Sequence, residues 1–222
     1  MATTSTTATP QPLATTDASA DEPFLTPQRI RLLGFAGAAI LVAALVVWFV
    51  ITSGRRKEAF ATTALEQARD AAAQNNFGVA VQGFNKVVAS FSGTPAAYEA
   101  TLGIAQTHLV AGQNELAVTS LGDFLKTNPP PEYAATANQL LGTAYENLTK
   151  FAEAQAAYRK SADQAPMDYL KAAALLDAGR AARLGKKLDD AKAIYNEIIT
   201  KYPQTASLTE AQVRLAEINT GA

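Results

Sequence analysis

The sequence predicts an all-α chain: an α-solenoid of about four helix hairpins with a 37-residue period, closed by a capping helix and preceded by one transmembrane helix. Three observations carry this. Small, aromatic and helix-breaking residues recur every 37 positions through most of the chain. Prolines 129, 166 and 203 punctuate the sequence at that same stride. Residues 32–51 run for twenty positions without a charge.

Residues 1–28 hold eight Thr, five Ala and four Pro and few large apolar side chains. Such a segment buries too little surface to offset its ordering entropy and is expected to be disordered. The charge-free run that follows, LLGFAGAAILVAALVVWFVI, would cover roughly 30 Å as a helix, the thickness of a bilayer core. Arg29 and Arg31 precede it, Arg55, Arg56 and Lys57 follow it, and Trp48 stands where an interfacial ring is favoured. The transmembrane helix is placed at residues 29–54. A cleaved signal peptide is the alternative, but its apolar core is shorter, roughly 7–15 residues, and no A-x-A site follows here. The flanking charges lean toward a cytoplasmic C-terminal portion by a margin of one or two residues.

Residues 55–219 form the repeat domain. The small residue recurs at Ala80, Ala117, Ala154 and Ala191, and four positions on come Phe84, Leu121, Tyr158 and Tyr195. The breaker position reads Ser92, Pro129, Pro166 and Pro203. A second small position reads Ala68, Ala105, Gly142, Gly179 and Ala216, preceded by Gln67, Ile104, Leu141, Ala178 and Leu215. Each period reads as two amphipathic helices joined at Asn75-Asn76, Ala111-Gly112, Leu148-Thr149 or Gly185-Lys186. Gly142 and Ala154 are expected to face each other across the hairpin, with Tyr158 one turn beyond filling the gap to the next pair. Proline ends the second helix, because it lacks the amide and clashes with the preceding turn. Thr94-Pro95 reads as a cap followed by proline at the first helical position. A single hairpin cannot bury its apolar face, so the units stack, and a lone last helix at Ala206–Ile218 covers the end.

These residues resemble the tetratricopeptide repeat (TPR) family, most closely in Leu141-Gly142, Tyr145, Ala154, Tyr158 and Pro166. The family unit is usually 34 residues long, against 37 here. The resemblance implies protein or peptide ligands held on the first helix of each hairpin. The facing positions are then Leu102, Gln106, Gln139, Thr143, Glu146, Leu176, Arg180 and Arg183. Arg180 and Arg183 can grip an acidic group. The Lys/Asn clamp that some members use for C-terminal carboxylates is absent.

Enzymatic roles find little support. The chain has no Cys and one His, so no His/Cys metal set or Ser-His-Asp triad is expected. His108 stands where the third repeat has Tyr145 and is expected to pack between helices. No phosphate-cradling glycine motif occurs. Nineteen basic residues balance twenty acidic ones, giving no footprint for nucleic acid. No cofactor is expected. Asn128-Pro129-Pro130-Pro131 falls at an inter-repeat linker, and Asp189-Asp190 suits the first turn of a helix.

One N-terminal anchor followed by such an array resembles the YfgM-like ancillary subunits of the bacterial Sec translocon. That resemblance implies a single-pass inner-membrane protein with an extracytoplasmic repeat domain, acting as a chaperone-type scaffold beside SecYEG and PpiD-like partners. The ending YNEIITKYPQTASLTEAQVRLAEI is also similar to the repeats of outer-membrane assembly and Tol-Pal coordinator proteins. A cytoplasm-facing adaptor on the same anchor is the third reading.

Overall fold

The 37-residue stride is most plainly written in the turns of the repeat domain. Asn75, Gly112, Thr149 and Lys186 all take left-handed φ values, between 57° and 73°, at intervals of one period. Each is the residue just past a helix C-cap, and each turn closes with the same pair of backbone bonds. In the third, Lys150 N–H donates to Tyr145 C=O at 2.8 Å and Thr149 N–H to Glu146 C=O at 2.9 Å. These bonds satisfy carbonyls that the ending helix would otherwise leave orphaned.

The computed structural model describes residues 27–220; before Lys57 it describes side chains only at 35, 40–49, 51, 52 and 54. Among the described residues there are nine helices and no strand: α1 (Pro27–Ala73), α2 (Phe77–Ser90), α3 (Pro95–Val110), α4 (Asn114–Lys126), α5 (Pro131–Asn147), α6 (Phe151–Gln164), α7 (Asp168–Leu184), α8 (Leu188–Lys201) and α9 (Ser207–Thr220). The chain divides into two compact units, Met1–Ile51 and Thr52–Ala222.

In the first unit, α1 starts at Pro27, two residues inside the tail expected to be disordered; the rest of that tail lies outside the described residues. Proline at a first helical turn costs no hydrogen bond, which lets the helix begin there. The side chains of Phe35, Ile40, Leu41, Val42, Leu45, Val46, Val47, Trp48 and Phe49 are all more than half exposed. The expected span over residues 32–51 is not shown, since among the described residues no helix is long and apolar enough to cross a membrane.

The second unit is an all-α, TPR-like solenoid. The end of α1 pairs with α2, then α3 with α4, α5 with α6, and α7 with α8, while α9 packs alone on α7 and α8. Pro129, Pro166 and Pro203 lie just beyond the ends of α4, α6 and α8. Thr94 caps α3, its Oγ1 accepting from Ala97 N–H at 3.2 Å, with Pro95 at the first helical position. A second acceptor serves that end: Glu58 Oε1 takes Ala96 N–H at 3.2 Å.

The core corrects one expectation. Gly142 makes room for a ring: a Cβ there would lie 2.5 Å from Tyr158 Cδ1, and one at Gly179 would lie 2.5 Å from Tyr195 Cε1. The small position thus answers the aromatic sixteen residues on, within its own hairpin. Tyr158 also shares a buried cluster with Ala172, Leu175 and Ala178 of the next repeat, so it does fill the gap between pairs. The ends of the register behave as ends. Gln67 and Ala216, in the first and last members of the register, are both exposed.

Candidate functional site

Three cavities open along the first helices of the repeats, each sharing a lining residue with the next. The first, about 480 Å³, is lined by Arg69 and Ala72 of α1, Phe77 and Phe84 of α2, a stripe of α3, and Thr136 of α5. Thr136 also lines the second, about 410 Å³, together with Gln139, Ser161, Pro166, Leu170 and Ala173. Ala173 in turn lines the third, about 200 Å³, with Leu176, Asp177, Arg180, Arg183, Tyr195, Glu210 and Arg214. The three cavities follow one another from the end of α1 to α9.

The repeat dictates where the groove lies. Glu99, Thr136, Ala173 and Glu210 occupy one register position, 37 residues apart, and each faces a cavity. On a helix, residues three and four apart share a face, so this position continues into Leu102, Gln139 and Leu176 one turn later. The backbones of α3 and α5 touch, as do those of α7 and α9, but α5 and α7 stand further apart. The second cavity opens in that wider gap, and side chains span it. Gln139 Nε2 donates to Asp177 Oδ2. Arg180 Nε and Nη2 donate to Glu146 at 3.1 and 3.0 Å.

The residues predicted for the groove divide into two groups. Leu102 and Gln106 line the first cavity, Gln139 the second, and Leu176, Arg180 and Arg183 the third. Thr143 and Glu146 line none of the three. They sit behind the wall, holding the Tyr158 hydroxyl, which donates to Glu146 Oε2 at 3.0 Å and lies 3.3 Å from Thr143 Oγ1. The expectation that Arg180 and Arg183 together grip an acidic group needs correcting for Arg180. Its guanidinium is already held by Glu146 and Asp177, and those hydrogen bonds raise its pKa beyond the ordinary arginine value even though burial acts against this. Arg183 makes one bond, from Nη1 to Glu217 Oε2 at 3.3 Å.

Several groove residues escaped the sequence reading. Arg69 pairs with Glu99 at 2.6 Å at the entrance to the first cavity. Thr136 and Ala173 link the cavities, and Asp177, Tyr195, Glu210 and Arg214 complete the third. The signal for Thr136 and Ala173 was present, since each lies one helical turn before a residue that was named. Gln139 Oε1 is a buried acceptor without a partner among the described residues, and it stands at the wall of the second cavity. His108 is half-buried beside the α3–α4 turn, with Nδ1 2.7 Å from Gln113 Oε1.

The two buried tyrosines differ in electrostatics. Burial raises the pKa of Tyr158 above the ordinary tyrosine value; the Thr143 hydrogen bond lowers it, and Glu146 and Asp177 raise it further. Burial also raises that of Tyr195, but Arg183, Arg214 and Arg180 all act against the rise. The Tyr195 hydroxyl therefore sits among cations where that of Tyr158 sits among carboxylates.

Comparison with known proteins agrees with this architecture. A family model described as a tetratricopeptide repeat-like domain matches residues 50–168, and one described as a tetratricopeptide repeat matches residues 140–206. Among solved structures, the chain is similar to residues 41 to the end of MamA from Desulfovibrio magneticus RS-1, at 19% identity and a TM-score of 0.50 over 63% of this chain and 73% of that one. It is also similar to the nearly identical TPR-like repeats of a protein described as a kinesin light chain from Podosopora anserina, at 18% identity and a TM-score of 0.57 over 72% of this chain and 85% of that one. No curated protein matches the chain.

Proposed function

The chain belongs to the tetratricopeptide repeat-like family, typically non-enzymatic scaffolding that binds proteins or peptides, and from that premise we propose a membrane-tethered scaffold whose groove holds a segment of a partner protein. The observation that carries the reading is the row of three cavities along the first helices, in which Thr136 and Ala173 are each shared by two neighbours. A row of cavities lined by both apolar and polar side chains suits an extended or helical segment. The unpartnered Gln139 Oε1 offers such a segment an acceptor on the groove wall. Binding at a rigid array loses little ordering entropy on the protein side, so modest contacts suffice.

The tether is the charge-free run 32–51, flanked on both sides by basic residues. The exposed apolar side chains Phe35 and Ile40–Phe49 support it, because such a surface is costly in water. Tethering concentrates the groove near a membrane complex without any new contact. The partner class is a protein-conducting channel of the Sec type with its associated chaperones, and the repeat domain lies outside the cytoplasm. Protease treatment of right-side-out spheroplasts tests the placement: digestion of residues 55–219 is the expected result, and their full protection contradicts it. Purification from detergent-solubilised membranes tests the partner, with co-purification of channel subunits expected. Recovery of outer-membrane assembly components in their place contradicts the Sec assignment.

The basic cluster Arg55-Arg56-Lys57 favours a second reading, a cytoplasm-facing adaptor on the same anchor. Protection in spheroplasts is its expected outcome.

A further inference from the structure

The third cavity carries an inference that rests on the groove reading and deepens it. Residues 37 apart stand in equivalent places. Around Tyr158 those places hold Glu146 on α5 and Arg180 on α7, and the tyrosine donates to the glutamate while the arginine clamps it from the other side. One period on, the pair is reversed: Arg183 stands at the glutamate's position on α7 and Glu217 at the arginine's position on α9. The reversal keeps the ion pair, at 3.3 Å, but removes the acceptor from the tyrosine. Tyr195 is 1% exposed and lines the cavity, and no hydrogen bond of its hydroxyl occurs among the described residues.

The donors around that hydroxyl are not all engaged. Arg183 uses Nη1 on Glu217, and its Nη2 and Nε make no hydrogen bond among the described residues. Arg214 spends Nη1 on Glu217 and Nη2 on Glu210, leaving Nε. The carboxylates Asp177 and Glu210 also line the cavity, Asp177 held by Arg180 and Gln139 and Glu210 by Arg214. A cavity of about 200 Å³ admits one side chain and no folded element.

We propose that this cavity is a carboxylate subsite of the groove: a carboxylate of the bound segment accepts from the Tyr195 hydroxyl and from Arg183, making at this position the tyrosine–carboxylate–arginine set that Glu146 makes internally at Tyr158. Two oxygens bring acceptors for both donors, and hydrogen bonds that involve charged groups are the stronger kind. The carboxylate can belong to an Asp or Glu side chain or to a chain terminus, and the test separates these sources.

The probes are three pentapeptides, titrated at low salt into the full-length protein in detergent micelles while the arginine Nε–H resonances are followed by NMR. The first is capped at both ends with a central glutamate, the second is its capped glutamine counterpart, and the third is the glutamine peptide with a free C-terminus. Saturable shifts at Arg183 and Arg214 with the first peptide are expected, with binding about tenfold weaker for the second. Equal strength for the third peptide assigns the subsite to terminal carboxylates as well; failure of the third confines it to side chains. Tyr195→Phe keeps the ring packing and is expected to weaken the first peptide about tenfold at unchanged melting temperature. Arg183→Gln is expected to do the same. Equal binding of all three peptides, no shift at either arginine with any of them, or an unaltered affinity in Tyr195→Phe overturns the subsite. Partner capture that persists after such a failure leaves the groove reading standing, whereas loss of all capture removes both.

Discussion

Tyr158 and Tyr195 hold the same place in successive repeats, are equally buried, and press on a glycine of the same register, yet their hydroxyls meet opposite surroundings. At Tyr158 the hydroxyl closes an internal network with Glu146, Thr143 and Arg180. At Tyr195 the same atom opens into a cavity lined by arginines. The ring and the hydroxyl thus answer to different demands. Packing fixes the ring, because in both hairpins it fills the space left by the glycine of the partner helix. The hydroxyl is left to local chemistry, and a single reversal of an ion pair between helices removes its internal acceptor.

Removing the rings gives the largest expected effect. Tyr158→Ala and Tyr195→Ala should each destabilise the repeat domain by about 3–5 kcal/mol, as for other buried aromatic truncations. Chemical denaturation checks this, and a large difference between the two would break the claim that the rings are equivalent. Next come Gly142→Ala and Gly179→Ala, which place a Cβ 2.5 Å from the facing ring and should cost about 1–3 kcal/mol each through overpacking. Melting temperatures unaltered in both would remove the close approach as the reason for glycine.

Alkaline pH sharpens the comparison. A buried tyrosine whose folded pKa lies above its unfolded value of 10.0 binds a proton that the unfolded chain has lost. Stability is then full below pH 10 and falls above it, by about 1.4 kcal/mol per pH unit for each such group until the folded pKa is reached. The shift at Tyr158 is reinforced by carboxylates and that at Tyr195 is opposed by arginines, so Tyr158→Phe should flatten the alkaline arm more than Tyr195→Phe. Near neutral pH the two phenylalanine variants should also part. Tyr158→Phe loses a bond to Glu146 and should cost about 1–2 kcal/mol, while Tyr195→Phe should cost close to none. Equal losses would contradict the contrast.

The smallest effect lies in a turn. Thr149 carries a β-branched side chain at φ 57°, where Gly112 serves in the equivalent turn. Thr149→Gly should raise stability by about 0.5–1 kcal/mol, relief of the left-handed strain outweighing the added chain entropy. A thermal melt measures it.

Much of this architecture was legible in the sequence, for a physical reason. Turn position, breaker and small-residue register are local or periodic constraints, and sliding the chain by 37 exposes them all, down to the four left-handed residues. What faced Gly142 was harder to read. Twelve residues across a turn and sixteen both reach the partner helix, and only the packing shows that the Tyr158 ring, more than the Ala154 methyl, needs the space. The groove was legible as a face but not as a set of partners. Leu102, Gln106 and Leu176 follow from helical spacing alone. That Glu146 turns inward to Tyr158, and that Arg180 is already held, depends on contacts between helices, 12 and 34 residues apart in sequence. Thr136 and Ala173 were missed because neither residue type advertises binding, although their register position repeats as faithfully as any.

The central claim is that one face of the stacked first helices holds the partner. Site-specific photo-crosslinking in native membranes tests it most directly, with the crosslinker at Thr136, which lines two cavities, and at Glu153, exposed on the second helix of the same hairpin and outside all three cavities. The expected result is a discrete adduct with a membrane-channel or chaperone subunit from Thr136 and none from Glu153. Adducts of equal yield from both positions, or from Glu153 alone, would contradict the account.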